Sequence, residues 1–106
     1  AGTVVPAPVS TQLADGMAVR VADAQALAIL QRHLDHVVVV SDAEVAQAMR
    51  ALFVDTHNVA EGAGAAAFAA AWQERAQLRG QQVGVTLCGG NVDADVFARV
   101  LTSTAT

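Results

Sequence analysis

Two short apolar runs constrain this chain more than any other feature: His36-Val37-Val38-Val39-Val40, and the six residues from Val83 to Cys88. β-Branched side chains favour the pleated surface of a sheet, and a run without polar alternation predicts a strand covered on both faces. Such strands need a neighbour along each edge as well as helices above and below. Two strands cannot meet that demand between themselves. Either a segment outside this chain completes the sheet, or the strands pair across a homodimer of a compact, mostly helical domain.

Helical signals fill the intervals. Residues 1–21 hold both prolines, Pro6 and Pro8, with valines scattered among turn formers, and read as an extended, irregular lead-in. Asp23 is a good N-cap for a helix running to about Leu34, with Leu27, Leu30 and Leu34 on one face. Ser41 and Glu44 have the spacing of a capping box. The helix they open presents Val45, Met49, Leu52 and Phe53 on one side and ends near His57 and Asn58. Small residues in Glu61-Gly62-Ala63-Gly64 precede an alanine-rich helix over roughly 64–79, which points Phe68 and Trp72 the same way and stops at Gly80. A last helix from about Asp93 carries Val96, Phe97, Val100 and Leu101 as its apolar stripe. Helices alternating with doubly buried strands predict α/β architecture, part of a mainly parallel, helix-flanked sheet that is incomplete in this chain.

Composition agrees with a missing neighbour and narrows the function. Of the 106 residues, 54% are apolar and only 15% charged, more apolar surface than a domain this small ordinarily hides. The net charge of −4 offers no basic patch to a phosphate backbone, which argues against nucleic acid. No apolar stretch approaches the roughly 18 to 20 residues that cross a bilayer, so no membrane association is expected. One cysteine, Cys88, precludes an internal disulfide and fits a reducing compartment. Without a signal-peptide pattern at the start, a soluble cytoplasmic protein is expected.

Three segments could carry chemistry: Ala14-Asp15-Gly16, Glu61-Gly62-Ala63-Gly64-Ala65 at a helix start, and Leu87-Cys88-Gly89-Gly90-Asn91 after a strand. Each has an ordinary structural explanation. A glycine pair after a strand makes a tight turn, a glutamate at a helix start complements the helix dipole, and a cysteine closing a strand fills a small core position. His33 and His36, separated by a helix end and lacking a third converging ligand, read as solvated surface with no metal role. Arg75 and Arg79 read as charges complementing a helix C-terminus.

Taken in order and with their spacing, the three segments resemble the catalytic domain of pyridoxal-phosphate-dependent threonine dehydratases and serine racemases, over residues 13 to about 101. The resemblance implies the tryptophan-synthase-β-like fold of such enzymes, with residues 1–106 forming the C-terminal portion of the large cofactor-binding domain. It implies that Cys88 occupies a position, usually serine, that faces the pyridine nitrogen of pyridoxal 5'-phosphate. A neutral donor there leaves the ring a weaker electron sink than an aspartate would, which favours fast loss of a β-hydroxyl. It places Glu61 near the ring as an orienting or proton-relaying carboxylate, Gly16 close to the cofactor through its backbone, and Asn91 as a cap on the loop that carries Cys88.

The same resemblance sets what is missing. All six basic residues other than histidine are Arg, so the chain holds no lysine for the Schiff base. That lysine and the phosphate-binding loops belong upstream in such enzymes, and the chain is expected to be inactive alone. His57 stands where some racemases have a lysine that serves a nucleotide effector, which argues against nucleotide activation. No C-terminal regulatory domain is expected. The implied reaction is dehydration and deamination of a β-hydroxy amino acid such as L-threonine or L-serine. Racemisation within the same family and a non-catalytic interaction module are the alternatives. The implied partners are the N-terminal segment of the same enzyme, an amino-acid substrate, and further copies in a homo-oligomer.

Overall fold

A computed structural model describes residues 2–103. Four helices carry the regular structure: α1 (Ala24–His33), α2 (Asp42–Thr56), α3 (Gly62–Gln73) and α4 (Ala94–Thr102), with a short 3-10 turn at Asp15–Met17. Their starts are where the capping residues place them. The Asp23 carboxylate accepts from the Ala26 N–H at 2.9 Å. Ser41 and Glu44 close a reciprocal capping box, Ser41 Oγ accepting from the Glu44 N–H at 3.1 Å and Glu44 Oε1 from the Ser41 N–H at 2.9 Å. His57 ends α2 in the left-handed region, with φ 58° and ψ 31°, and its N–H donates to the Phe53 carbonyl at 2.9 Å.

The core lies where α2, α3 and α4 meet. Val45, Ala48 and Met49 of α2, Ala65 and Ala69 of α3, Val100 of α4 and Ala60 between helices are buried together. Alanines on α3 let its backbone come close to α2, and Leu52, Phe68 and Phe97 pack around the rim. Phe53 and Phe97 meet edge to face with centroids 5.4 Å apart, and Arg50 donates to the Val100 carbonyl at 3.0 Å. The lead-in is irregular, as expected, but folds back on itself: the Ala7 N–H donates to the Arg20 carbonyl at 2.8 Å.

Two expectations need correction. The predicted strands at 36–40 and 83–88 do not form, so no sheet exists among the described residues. A strand is defined by ladder bonds to a neighbour, and residues 37–40 and 83–87 make no backbone–backbone hydrogen bond among the described residues. Many of their side chains stay outside too, with Val37 76% and Val39 84% exposed, while Val40 packs against the core. The alanine-rich helix is also shorter than its pattern suggests. It ends at Gln73, and the chain continues as turns to Gly80, whose φ is 80°. At that end the Gln73 side chain donates to the Val39 carbonyl at 2.8 Å and to Glu44 at 3.0 Å, while Glu74 meets His36 at 2.9 Å.

Helix α1 packs against none of the other helices and buries no residue. Its predicted apolar face, Leu30 and Leu34 above all, remains about half exposed. No helix among the described residues is long and apolar enough to cross a membrane.

Candidate functional site

The first turn of α3 is the meeting point of two loops that are distant in sequence. On one side lies the 3-10 turn with Gly16, where an added Cβ would sit 3.2 Å from Ala63 Cβ and 3.6 Å from Glu61 Oε1. On the other lies the loop 88–91, held by two backbone bonds: Glu61 N–H to Gly89 O at 3.1 Å and Cys88 N–H to Gly64 O at 3.3 Å. The small residues of Glu61-Gly62-Ala63-Gly64 are therefore required for close approach. A Cβ at Gly62 would collide with the Leu13 carbonyl, and one at Gly64 would lie 2.5 Å from the carbonyl oxygens of Cys88 and Gly89.

Three of the four residues expected at a site thus converge. Glu61 is the N-cap of α3, with φ −73° and ψ 169°, and its side chain makes no capping bond. Its Oε1 instead lies beside the backbones of Gly16 and Gly89. Cys88 is an exposed free thiol one residue before Gly89, in a segment without regular structure rather than at a strand end. Asn91 is exposed, directly after Gly90. The close packing of Gly90 on Val59, where a Cβ would come 2.7 Å from the carbonyl oxygen, holds the loop there.

Sequence reasoning missed the support of the Gly16 turn. Asp42, the first residue of α2, accepts from the Thr11 hydroxyl and from the Gln12 N–H at 2.9 Å, and Thr11 Oγ1 accepts in turn from the Ala14 N–H at 3.0 Å. Partial burial pushes the Asp42 carboxyl up, but the Thr11 hydroxyl and the backbone N–H groups of Gln12 and Leu13 outweigh it and hold the group below its ordinary value. An aspartate in a first helical turn was legible as a dipole partner, whereas a partner some 30 residues earlier carries no local signal.

As donor types these residues suit one wall of a pyridoxal-phosphate site: an exposed thiol, a carboxylate, and backbone bared at Gly16 and Gly89. The chain's well-formed clefts lie elsewhere. One of about 320 Å³ runs between the lead-in and residues 38–40, lined by Val9, Thr11, Met17, Val19, Val39 and Val45 among others. The remaining walls of a cofactor site would have to come from outside these residues.

Comparison with known proteins bears on the family. Residues 1–89 match the family described as pyridoxal-phosphate dependent enzyme. The chain is 39% identical over 101 residues to an L-threonine ammonia-lyase of Geobacter sulfurreducens, covering 94% of this chain and 25% of that protein. It is 46% identical over 74 residues to a phenylserine dehydratase of Ralstonia pickettii, covering 69% and 23% respectively. It is 31% identical over 100 residues to an L-threo-3-hydroxyaspartate ammonia-lyase of a Pseudomonas species, covering 94% and 31%. The chain thus spans between about a quarter and a third of the length of these relatives. With the family match extending from the lead-in through Gly89, across the first two motif-bearing segments and into the third, the chain belongs to the pyridoxal-phosphate-dependent enzymes.

Proposed function

We propose that this chain supplies one wall of the cofactor site of an ammonia-lyase that removes water from a β-hydroxy amino acid, releasing a 2-oxo acid and ammonia. The observation that carries the proposal is the convergence of Gly16, Glu61 and the Cys88-Gly89 turn on one helix start, in a chain whose relatives are named ammonia-lyases and dehydratases. When bound, pyridoxal phosphate supplies the electron sink that lets bonds to the amino-acid α-carbon break. Cys88 offers that ring a neutral S–H, a weak donor that does not demand a protonated pyridine nitrogen. Glu61 supplies a carboxylate able to orient a neighbouring group or pass a proton. Gly16 lets backbone, rather than a side chain, border the ring.

The rest of the site belongs, in this proposal, to the remainder of the same enzyme, including the lysine this chain does not contain. Exposed Val37, Val39, Val83, Val85 and Leu87 support it, since these residues line the two segments whose backbones also lack ladder partners. In contact with neighbouring strands, both segments would enter the mainly parallel sheet.

The test mixes the purified chain with pyridoxal phosphate and L-serine or L-threonine, with and without the lysine-bearing remainder of the enzyme. Ammonia is expected only from the mixture of both parts, and release from this chain alone would overturn the proposal. Interconversion of L- and D-serine without ammonia would reassign the site to racemisation. In the active mixture Cys88→Ser retains activity, whereas Cys88→Asp diverts turnover toward side products; an Asp variant with unaltered products removes Cys88 from the site.

A further inference from the structure

We propose that Gly89 is a positioning residue for Glu61: by lacking a Cβ, it lets the carboxylate lie across the loop backbone, between Gly89 and Gly16. The inference rests on the reading of Glu61 as a site carboxylate and explains how a side chain without a capping bond is held in one place. A Cβ built on Gly89 would fall 2.5 Å from Glu61 Oε1, 2.9 Å from its Cδ and 3.5 Å from its Cγ. The side chain therefore lies along the Gly89 backbone and does not merely touch it at the tip.

What would yield on substitution follows from what is rigid. The loop backbone is fixed on both sides of the contact, by Glu61 N–H to Gly89 O and by Cys88 N–H to Gly64 O. Gly90 lies against the Val59 carbonyl, and the turn is one in which Gly89 has φ 95°. The Glu61 side chain has three rotatable bonds and makes no capping hydrogen bond. A methyl group at 89 would collide with the carboxylate, the far end of a flexible side chain, and φ 95° would in addition strain the loop backbone. A Cβ built on Gly16 would lie 3.6 Å from Oε1, an ordinary contact distance, so Gly16 borders the carboxylate less tightly. The two glycines accordingly differ in consequence: the carboxylate position excludes a Cβ at 89 and not at 16.

The test is a nuclear Overhauser measurement on the labelled 106-residue chain. A cross-peak between the Glu61 γ-protons and the Gly89 α-protons is expected, and its absence in the unmodified chain overturns the proposal. In Gly89→Ala, the Glu61 to residue 89 cross-peak pattern should change while the Cys88 to Gly64 contacts persist; an unchanged Glu61 position overturns it equally. Should Gly89→Ala fail to fold, adding Glu61→Ala separates the causes: recovery supports the clash, whereas continued failure assigns the loss to the φ 95° backbone and leaves the cross-peak of the unmodified chain to decide alone. With the lysine-bearing remainder added, Gly89→Ala and Glu61→Gln should each lower kcat by about 10²-fold or more. The double variant should be no worse than the poorer single one, and KM should move little. If Glu61→Gln leaves kcat unchanged, the catalytic reading of Glu61 fails while the positional contact, read by resonance, stands or falls by itself.

Discussion

Both ring nitrogens of His36 face carboxylate oxygens, Nδ1 at 2.6 Å from Asp35 and Nε2 at 2.9 Å from Glu74. Both nitrogens must then donate, and only the imidazolium can do so. The hydrogen bond to Glu74, then that to Asp35, and the charge of Glu74 raise the His36 pKa above its ordinary 6.5. A pKa raised by folding contributes stability that is complete below 6.5 and is lost as the pH rises through the higher folded value. The melting temperature of the chain should therefore fall as pH rises above 6.5 through the raised folded value, and this part of the slope should vanish in His36→Gln and shrink in Glu74→Gln, where the Asp35 bond remains. An unchanged slope in either variant would refute the clasp. His36 was legible only as an exposed histidine, because its decisive partner lies 38 residues away.

At the scale of elements, α2 carries the best-defined boundaries. Its capping box is a contact among residues three apart, which is why the local sequence alone reveals it. The Ser41 N–H, followed by the Gln73 side chain, holds the Glu44 carboxyl below its ordinary value. Ser41→Ala should cost about 1 kcal/mol in urea unfolding. At the other end His57 holds a left-handed conformation that favours glycine. His57→Gly should raise stability by about 0.5–1 kcal/mol despite losing the 3.2 Å contact of His57 Nδ1 with the Phe53 carbonyl. A lower urea midpoint for this variant would mean that the ring contact matters more than the backbone. Asp42 ties α2 to the lead-in, and its depressed pKa gives the opposite pH sign to His36. Its contribution is present above 3.8 and is lost as pH falls through the lower folded value.

For the whole molecule, the radius of gyration is 14.8 Å, against about 13 Å for a compact chain of this length. The excess agrees with an unpartnered α1 and with the exposed Val37, Val39, Val83, Val85 and Leu87. A chain in this state should enhance the fluorescence of an apolar dye strongly, and adding the lysine-bearing remainder of the enzyme should abolish most of that signal. Dye binding unchanged by the remainder would count against docking through these segments. The core itself is small, and Met49 is fully buried in it. Met49→Ala should cost about 2–5 kcal/mol, enough to unfold so lightly packed a chain, as circular dichroism would show.

Helix starts, the capping box and the order of the three motif-bearing segments were determined by the sequence alone, because the hydrogen bonds and periodicities behind them span only a few residues. The family followed from the same local segments. The tertiary structure decided which distant residues meet: Asp42 with Thr11, His36 with Glu74, and Glu61 between Gly16 and Gly89. It also decided that the valine-rich segments remain unpaired in this chain. β-Branched sequence supplies a preference for the extended pleat, but a strand exists only when another backbone completes its hydrogen bonds, and that partner is not encoded within the segment itself.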